Sequence, residues 1–234
     1  MPAFDFEVYV LKDIYNRLIS LNLCLWLMSG VMLALAVGSF SRGSSEAGGL
    51  NAMPLFLWLQ RAPLSFSWWL WIAVALLALL CLNGALCSIE ALRKGRSLAP
   101  QLMHAGFLLI ALAHLLSAYG GSKEQFQLGE GGSIGFPDGD RVRVERITAQ
   151  MGSMGMMSSY RADLRVGSGA VSGVQPNAPL FHKGYGIYLK EVGFNPEPVA
   201  LIEVHREPGA LTALIGALLF TLGNLMLLAQ RRGR

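Results

Sequence analysis

The chain has 234 residues, of which 53% are hydrophobic and only 15% charged, and its mean hydropathy is +0.45. A soluble domain carries about 25% charged residues, so the composition excludes a soluble enzyme, a disordered chain and a disulfide-built scaffold. The 19 basic and 15 acidic residues leave four windows free of charge, Leu18–Ser41, Ala62–Ile89, Ser97–Ser122 and Pro208–Gln230, of 24, 28, 26 and 23 residues. About 20 apolar residues cross a bilayer, so each window predicts a transmembrane helix.

The first span, about 18–41, follows an N-terminus bearing Asp5, Glu7 and Asp13. Those acids and the length of the apolar run argue against a cleaved signal peptide, although Val37-Gly38-Ser39 has small residues of the cleavage type. Ser44–Leu50 reads as a Gly/Ser-rich turn. Asn51–Gln60 is apolar but too short to cross, and it leads as an interfacial segment into a belt of Trp68, Trp69 and Trp71. The second span covers about 65–89, and the third about 99–120, with Pro100 in its first turn.

Residues 121–207 change character. Arg141–Glu145 alternates with period two, and Gly186–Phe194 and Val199–Val204 are rich in β-branched and aromatic residues between Gly and Pro. They predict a small all-β domain, with Met151–Ser159 as a loop. The fourth span and a basic tail occupy 208–234. The expected fold is therefore a polytopic α-helical membrane protein of four spans, with the β domain between the third and fourth.

Charge gives the orientation. Lys12, Arg17, Arg93, Lys94, Arg96, Arg231, Arg232 and Arg234 flank the spans on one side, against Arg42 and Arg61 in the opposite loop. Under the positive-inside rule both termini are cytoplasmic and residues 121–207 extracytoplasmic. A bacterial inner membrane is the expected location. The pI near 9.1 is then a topology signal. No basic stripe with interleaved aromatics points to nucleic acid.

Cys24, Cys81 and Cys87 all lie within predicted spans, where small polarizable side chains pack helices. No CxxC, GxSxG or metal-spaced acidic/His cluster is visible, so the sequence offers no catalytic group. Ionisable residues in hydrocarbon are costly and mark function by default. The third span holds two, His104 and His114, ten residues apart, which is about 15 Å of rise and some 80° of rotation. One small metal cannot take both. His104 and, behind it, His114 are each either an axial ligand for haem iron or a hydrogen-bonding residue between helices. No other span contains histidine, so a haem held between two histidines would need a partner. His182 and His205 read as single solvated histidines of the β domain, with His205-Arg206 just before the fourth span.

The order of these pieces resembles the ResB/CcsB family of cytochrome c biogenesis proteins. The likeness is carried by Ser67-Trp-Trp-Leu-Trp71, Cys81-Leu-Asn83 with Cys87–Arg93, Met103-His-Ala-Gly106, Phe126–Gly131, Tyr160–Val166 and Gln175–Tyr188. In the last, an Asn-x-Pro-Leu turn leads to a glycine and a tyrosine. The resemblance implies a subunit working with a CcsA/ResC-type haem protein to carry haem b across the membrane and support its attachment to the CxxCH of apocytochrome c. Such a subunit would be non-catalytic or co-catalytic within a holocytochrome c synthase. It implies an inner-site axial ligand at His104, and for the turn from Asn177 to Tyr188 either a structural role or contact with the partner or apocytochrome. His205 is a further candidate contact near the membrane surface. His114 matches nothing in the pattern. The exported domain is shorter than in many relatives. The other readings are a membrane scaffold without haem and a di-haem cytochrome b, the latter disfavoured by the missing histidine pairs.

Overall fold

A computed structural model describes residues 3–40, 53–151, 157–194 and 196–232. They form a helical unit and a β unit, the body of the latter being Gly120–Pro208. The Ser44–Leu50 turn lies outside the described residues.

The helical unit contains α1 (Ala3–Leu18), α2 (Leu21–Phe40), α3 (Leu55–Arg61), α4 (Leu64–Arg93), α5 (Leu98–Gly120) and α6 (Ala210–Arg232). Among the described residues α2, α4, α5 and α6 are long and apolar enough to cross a bilayer, and the chain is a multi-pass membrane protein of the expected class. The interfacial segment is a short helix, α3. Two elements differ from the expectation. Residues 3–18 are helical, and Trp69 leaves the proposed belt. Trp69 is buried, whereas Trp68 and Trp71 are exposed.

Trp69 is drawn inward by a heptad-like stripe on α4. Trp69, Ala73, Leu76, Leu80, Asn83, Cys87 and Glu90 recur at spacings of four and three, which keeps them on one helix face. The apolar half of the stripe packs on α2. There Gly38 leaves room for the Trp69 indole, whose nearest atom would lie 2.2 Å from an added Cβ, and Gly30 meets Leu76. The polar half meets the break between α1 and α2. Asn83 Nδ2 donates to the Leu18 carbonyl and, at 3.3 Å, to that of Ser20. The Cys87 thiol donates to Ile19 O at 3.3 Å, and the Tyr15 hydroxyl to Glu90 Oε2 at 2.9 Å. Carbonyls freed by a helix break are expensive beside hydrocarbon unless another helix satisfies them, and α4 supplies the donors.

Helices α5 and α6 meet along small residues repeating every seven: Ala99, Gly106 and Ala113 against Gly223, Gly216 and Gly209. A Cβ at Gly216 would stand 2.8 Å from the Gly106 carbonyl, one at Gly223 the same distance from Ala99 O, and one at Gly209 still nearer Ala113 O. The two backbones therefore approach directly, the packing that small residues permit in membranes.

The β unit is a sandwich of two four-stranded antiparallel sheets. One has the order β1 (Ser122–Gly129), β8 (Pro198–Arg206), β7 (Tyr185–Phe194), β6 (Leu180–His182); the other β2 (Ser133–Gly135), β3 (Arg141–Met151), β4 (Met157–Val166), β5 (Val171–Val174). Part of the expected Met151–Ser159 loop is thus strand from Met157 onward, and 152–156 lie outside the described residues. Alternation sends Val142, Val144, Ile147, Ala162, Leu164 and Val174 inward from one sheet to meet Ile187, Leu189, Ala200, Ile202 and Val204 from the other. One end is closed where Gly131 N–H donates to Val144 O at 2.7 Å and Ile147 N–H donates to the Glu130 carboxylate at 2.8 Å. The Gly129–Gly132 segment is therefore a turn that caps a bulge in β3.

Candidate functional site

His104 sits on α5 about 140–180° around the helix from the three residues of the Ala99–Gly106–Ala113 stripe, at about 100° per residue. The α6 contact thus leaves its ring free to face α4. Its Nδ1 lies 3.0 Å from Ser88 Oγ, and among the described residues its Nε2 makes no hydrogen bond. Ser88 is one residue beyond Cys87, so it lies off the stripe that holds the α1–α2 break. One turn before His104, Gln101 is buried with its Oε1 carbonyl lacking any hydrogen-bond partner. An imidazole held through one nitrogen with the other open is the arrangement of a metal-ligating histidine, whose second nitrogen is normally fixed by a neighbour. If Nδ1–H donates to Ser88, Nε2 carries the lone pair. The donor set fits one axial bond to haem iron within apolar walls, and among the described residues no second histidine is brought there.

The remaining candidates separate. His114 is exposed and is not brought to His104. Asn177 lies at the exposed tip of a tight turn, where Gln175 and Ala178 exchange backbone hydrogen bonds of 3.2 and 3.0 Å. Tyr188 and His205 do come together, on the outer face of the β1-β8-β7-β6 sheet, with ring centroids 4.8 Å apart. Gly186 makes this possible, because an added Cβ would fall 2.7 Å from the Tyr188 ring. Phe181 meets the other side of Tyr188 edge-on at 6.4 Å.

Beneath these rings lies a group that sequence reading missed. Glu203 faces the outer side of its sheet yet is completely buried. Lys123 Nζ, Lys190 Nζ (3.1 Å) and His205 Nε2 (3.2 Å) surround its carboxylate at ion-pair distance. None of them is aligned as a hydrogen-bond donor. His205 is therefore a partnered, half-buried residue, which corrects the solvated reading. Burial holds its pKa below the ordinary histidine value, with Lys123 pushing the same way.

His182 is likewise not solvated. Its Nε2 lies 2.8 Å from Asp140 Oδ2, and Asp138, Asp140 and His182 converge within 4.8 Å. That corrects the expectation that no acidic/His cluster exists. The centre already has its cation, since Lys183 Nζ reaches Asp138 and Asp140 at 2.8 Å each. Lys183 holds both carboxyls below the usual carboxylate range, and its own pKa is raised in return. Its φ of +45° is unusual for a residue with a side chain.

No family model and no curated protein matches the sequence. Among solved structures the chain is similar to cytochrome c heme lyase CcmF, with 16% identity and a TM-score of 0.43 over 83% of this chain and 33% of that one. The chain spans about a third of that protein's length, and a TM-score this low assigns neither fold nor function.

Proposed function

We propose that this chain is a ResB/CcsB-like membrane subunit that handles haem during cytochrome c maturation. The observation that supports it is His104, an imidazole in a predicted span with Nδ1 engaged by Ser88 at 3.0 Å and Nε2 open. Haem is the cargo, and its iron supplies the axial bonding position. Ser88 fixes the ring and its tautomer, Nε2 offers the ligand, and the apolar faces of α4 and α5 exclude water. With a single histidine at that level of the membrane, the second axial ligand falls to a partner, which fits a CcsA/ResC-type haem protein. The positive-inside charges orient His104 toward the cytoplasmic end of α5 and put the β domain outside, where haem meets the reduced CxxCH of apocytochrome c. There the turn at Asn177 and the Tyr188–His205 pair offer contacts to the apocytochrome or the partner.

The test is the reduced-minus-oxidised spectrum of the complex purified with its haem-binding partner. His104→Ala is expected to lower haem per complex several-fold and to lower cytochrome c yield with it. Unchanged haem content and yield in a folded complex overturn the ligand assignment.

A further inference from the structure

The β sandwich is closed at the Gly131–Val144 end and open at the other, where edge strands β1 and β2 diverge. A cleft of about 500 Å³ lies between them, lined by Phe126, Ile134, Phe136 and Val204 at the base and by Glu124 and Arg206 among its polar residues. The volume falls within the range of about 300–1,000 Å³ of small-molecule sites. Arg206 has an unusual setting. Its guanidinium rests 5.7 Å over the Tyr185 ring, and among the described residues no carboxylate lies within ion-pair distance and no hydrogen bond uses its N–H groups. A guanidinium fixed by its face keeps its edge free for a carboxylate or phosphate.

We propose that this cleft binds an amphipathic molecule with a single negative group, the apolar body against Phe126, Phe136 and Val204 and the anion on the edge of Arg206. Glu124 lines the same cleft, so the mouth is near neutral and selects one negative charge over several. A fatty-acid carboxylate and a phospholipid phosphodiester both have this chemistry. A membrane source suits the chain order, since Ser122 lies two residues after α5 and Arg206 four before α6. The inference does not depend on the haem reading.

The experiment titrates the full chain, in a non-ionic detergent, with dodecanoate and separately with dioctanoyl phosphatidylglycerol, by calorimetry. Saturable binding of one molecule per chain is expected. Arg206→Gln should weaken it at least tenfold, and Arg143→Gln, outside the cleft, should leave it unchanged. Tighter dodecanoate binding assigns a carboxylate ligand, and tighter phosphatidylglycerol binding a phosphodiester. No saturable binding of either probe, or equal affinity in Arg206→Gln and the native chain, overturns the proposal.

Discussion

Ser88 Oγ and His104 Nδ1 stand 3.0 Å apart between α4 and α5. Neighbours that fix a ligating histidine commonly account for about 10–100-fold in affinity. Ser88→Ala should therefore loosen haem binding by about that factor while leaving expression intact, and Ser88→Thr, which keeps the hydroxyl, should restore most of it. Haem titration of the partner complex reads the difference. Equal affinity in the Ala variant would remove Ser88 from the site.

Two helix glycines, one in the α5–α6 seam and one on α4, carry opposite predictions. Gly216→Leu forces a side chain into the Gly106 carbonyl and Ile110, and overpacking of this kind costs about 1–3 kcal/mol. Gly84 on α4 has nothing within 4 Å of an added Cβ. Gly84→Ala should stabilise by roughly 0.5–1 kcal/mol through backbone entropy. Thermal unfolding in detergent should shift down for the first and up for the second.

Asn83 satisfies carbonyls at the break between α1 and α2. Asn83→Leu keeps the volume but leaves them without their donor, at about 1–3 kcal/mol. The joint should open, and trypsin should cut after the neighbouring Arg17 faster than in the native chain. An unchanged cleavage rate would show that the joint holds without α4.

The β domain should weaken in mild acid through His205. Lys123, Lys190, Glu203, Glu207 and Tyr188 face its ring, and its folded-state pKa lies below the ordinary 6.5. Below that pH the unfolded chain binds more protons, so stability is full above it and falls as pH drops toward the folded-state value. Hydrogen exchange in β7 and β8, corrected for intrinsic rates, should lose protection between pH 7 and 5, and His205→Phe should flatten that loss. Asp138 and Asp140, with carboxyl pKa values held below 3.8, add a separate loss only at lower pH.

The spans were legible because a charge-free window of 23 or more residues admits few other structures, and β3 because Arg141–Glu145 alternates without interruption. Helix α1 was hidden by the same criterion: Asp5, Glu7, Lys12, Asp13 and Arg17 remove it from any charge-free window, although its apolar residues recur at helical spacing. Glu203 occupies an outward strand position where a charge is ordinarily solvated. Its burial arises from Lys123 and Lys190, distant in sequence. Asp140 and His182, 42 residues apart, meet only because β6 returns past the β2–β3 turn, a contact that no local pattern encodes. His104 was legible as a polar residue in an apolar helix, whereas its hold by Ser88 required the α4–α5 packing.

The β1–β8 register pairs Ser122 with Arg206, so the β domain begins and ends on adjacent strands. The Gly209–Ala113 contact brings the start of α6 against α5 seven residues before α5 ends at Gly120. The domain is thus an insertion in the loop of a helical hairpin, and each side of the junction is closed by its own pairing. Lengthening, trimming or exchanging the inserted strands changes what the protein presents without disturbing how its last two helices find each other.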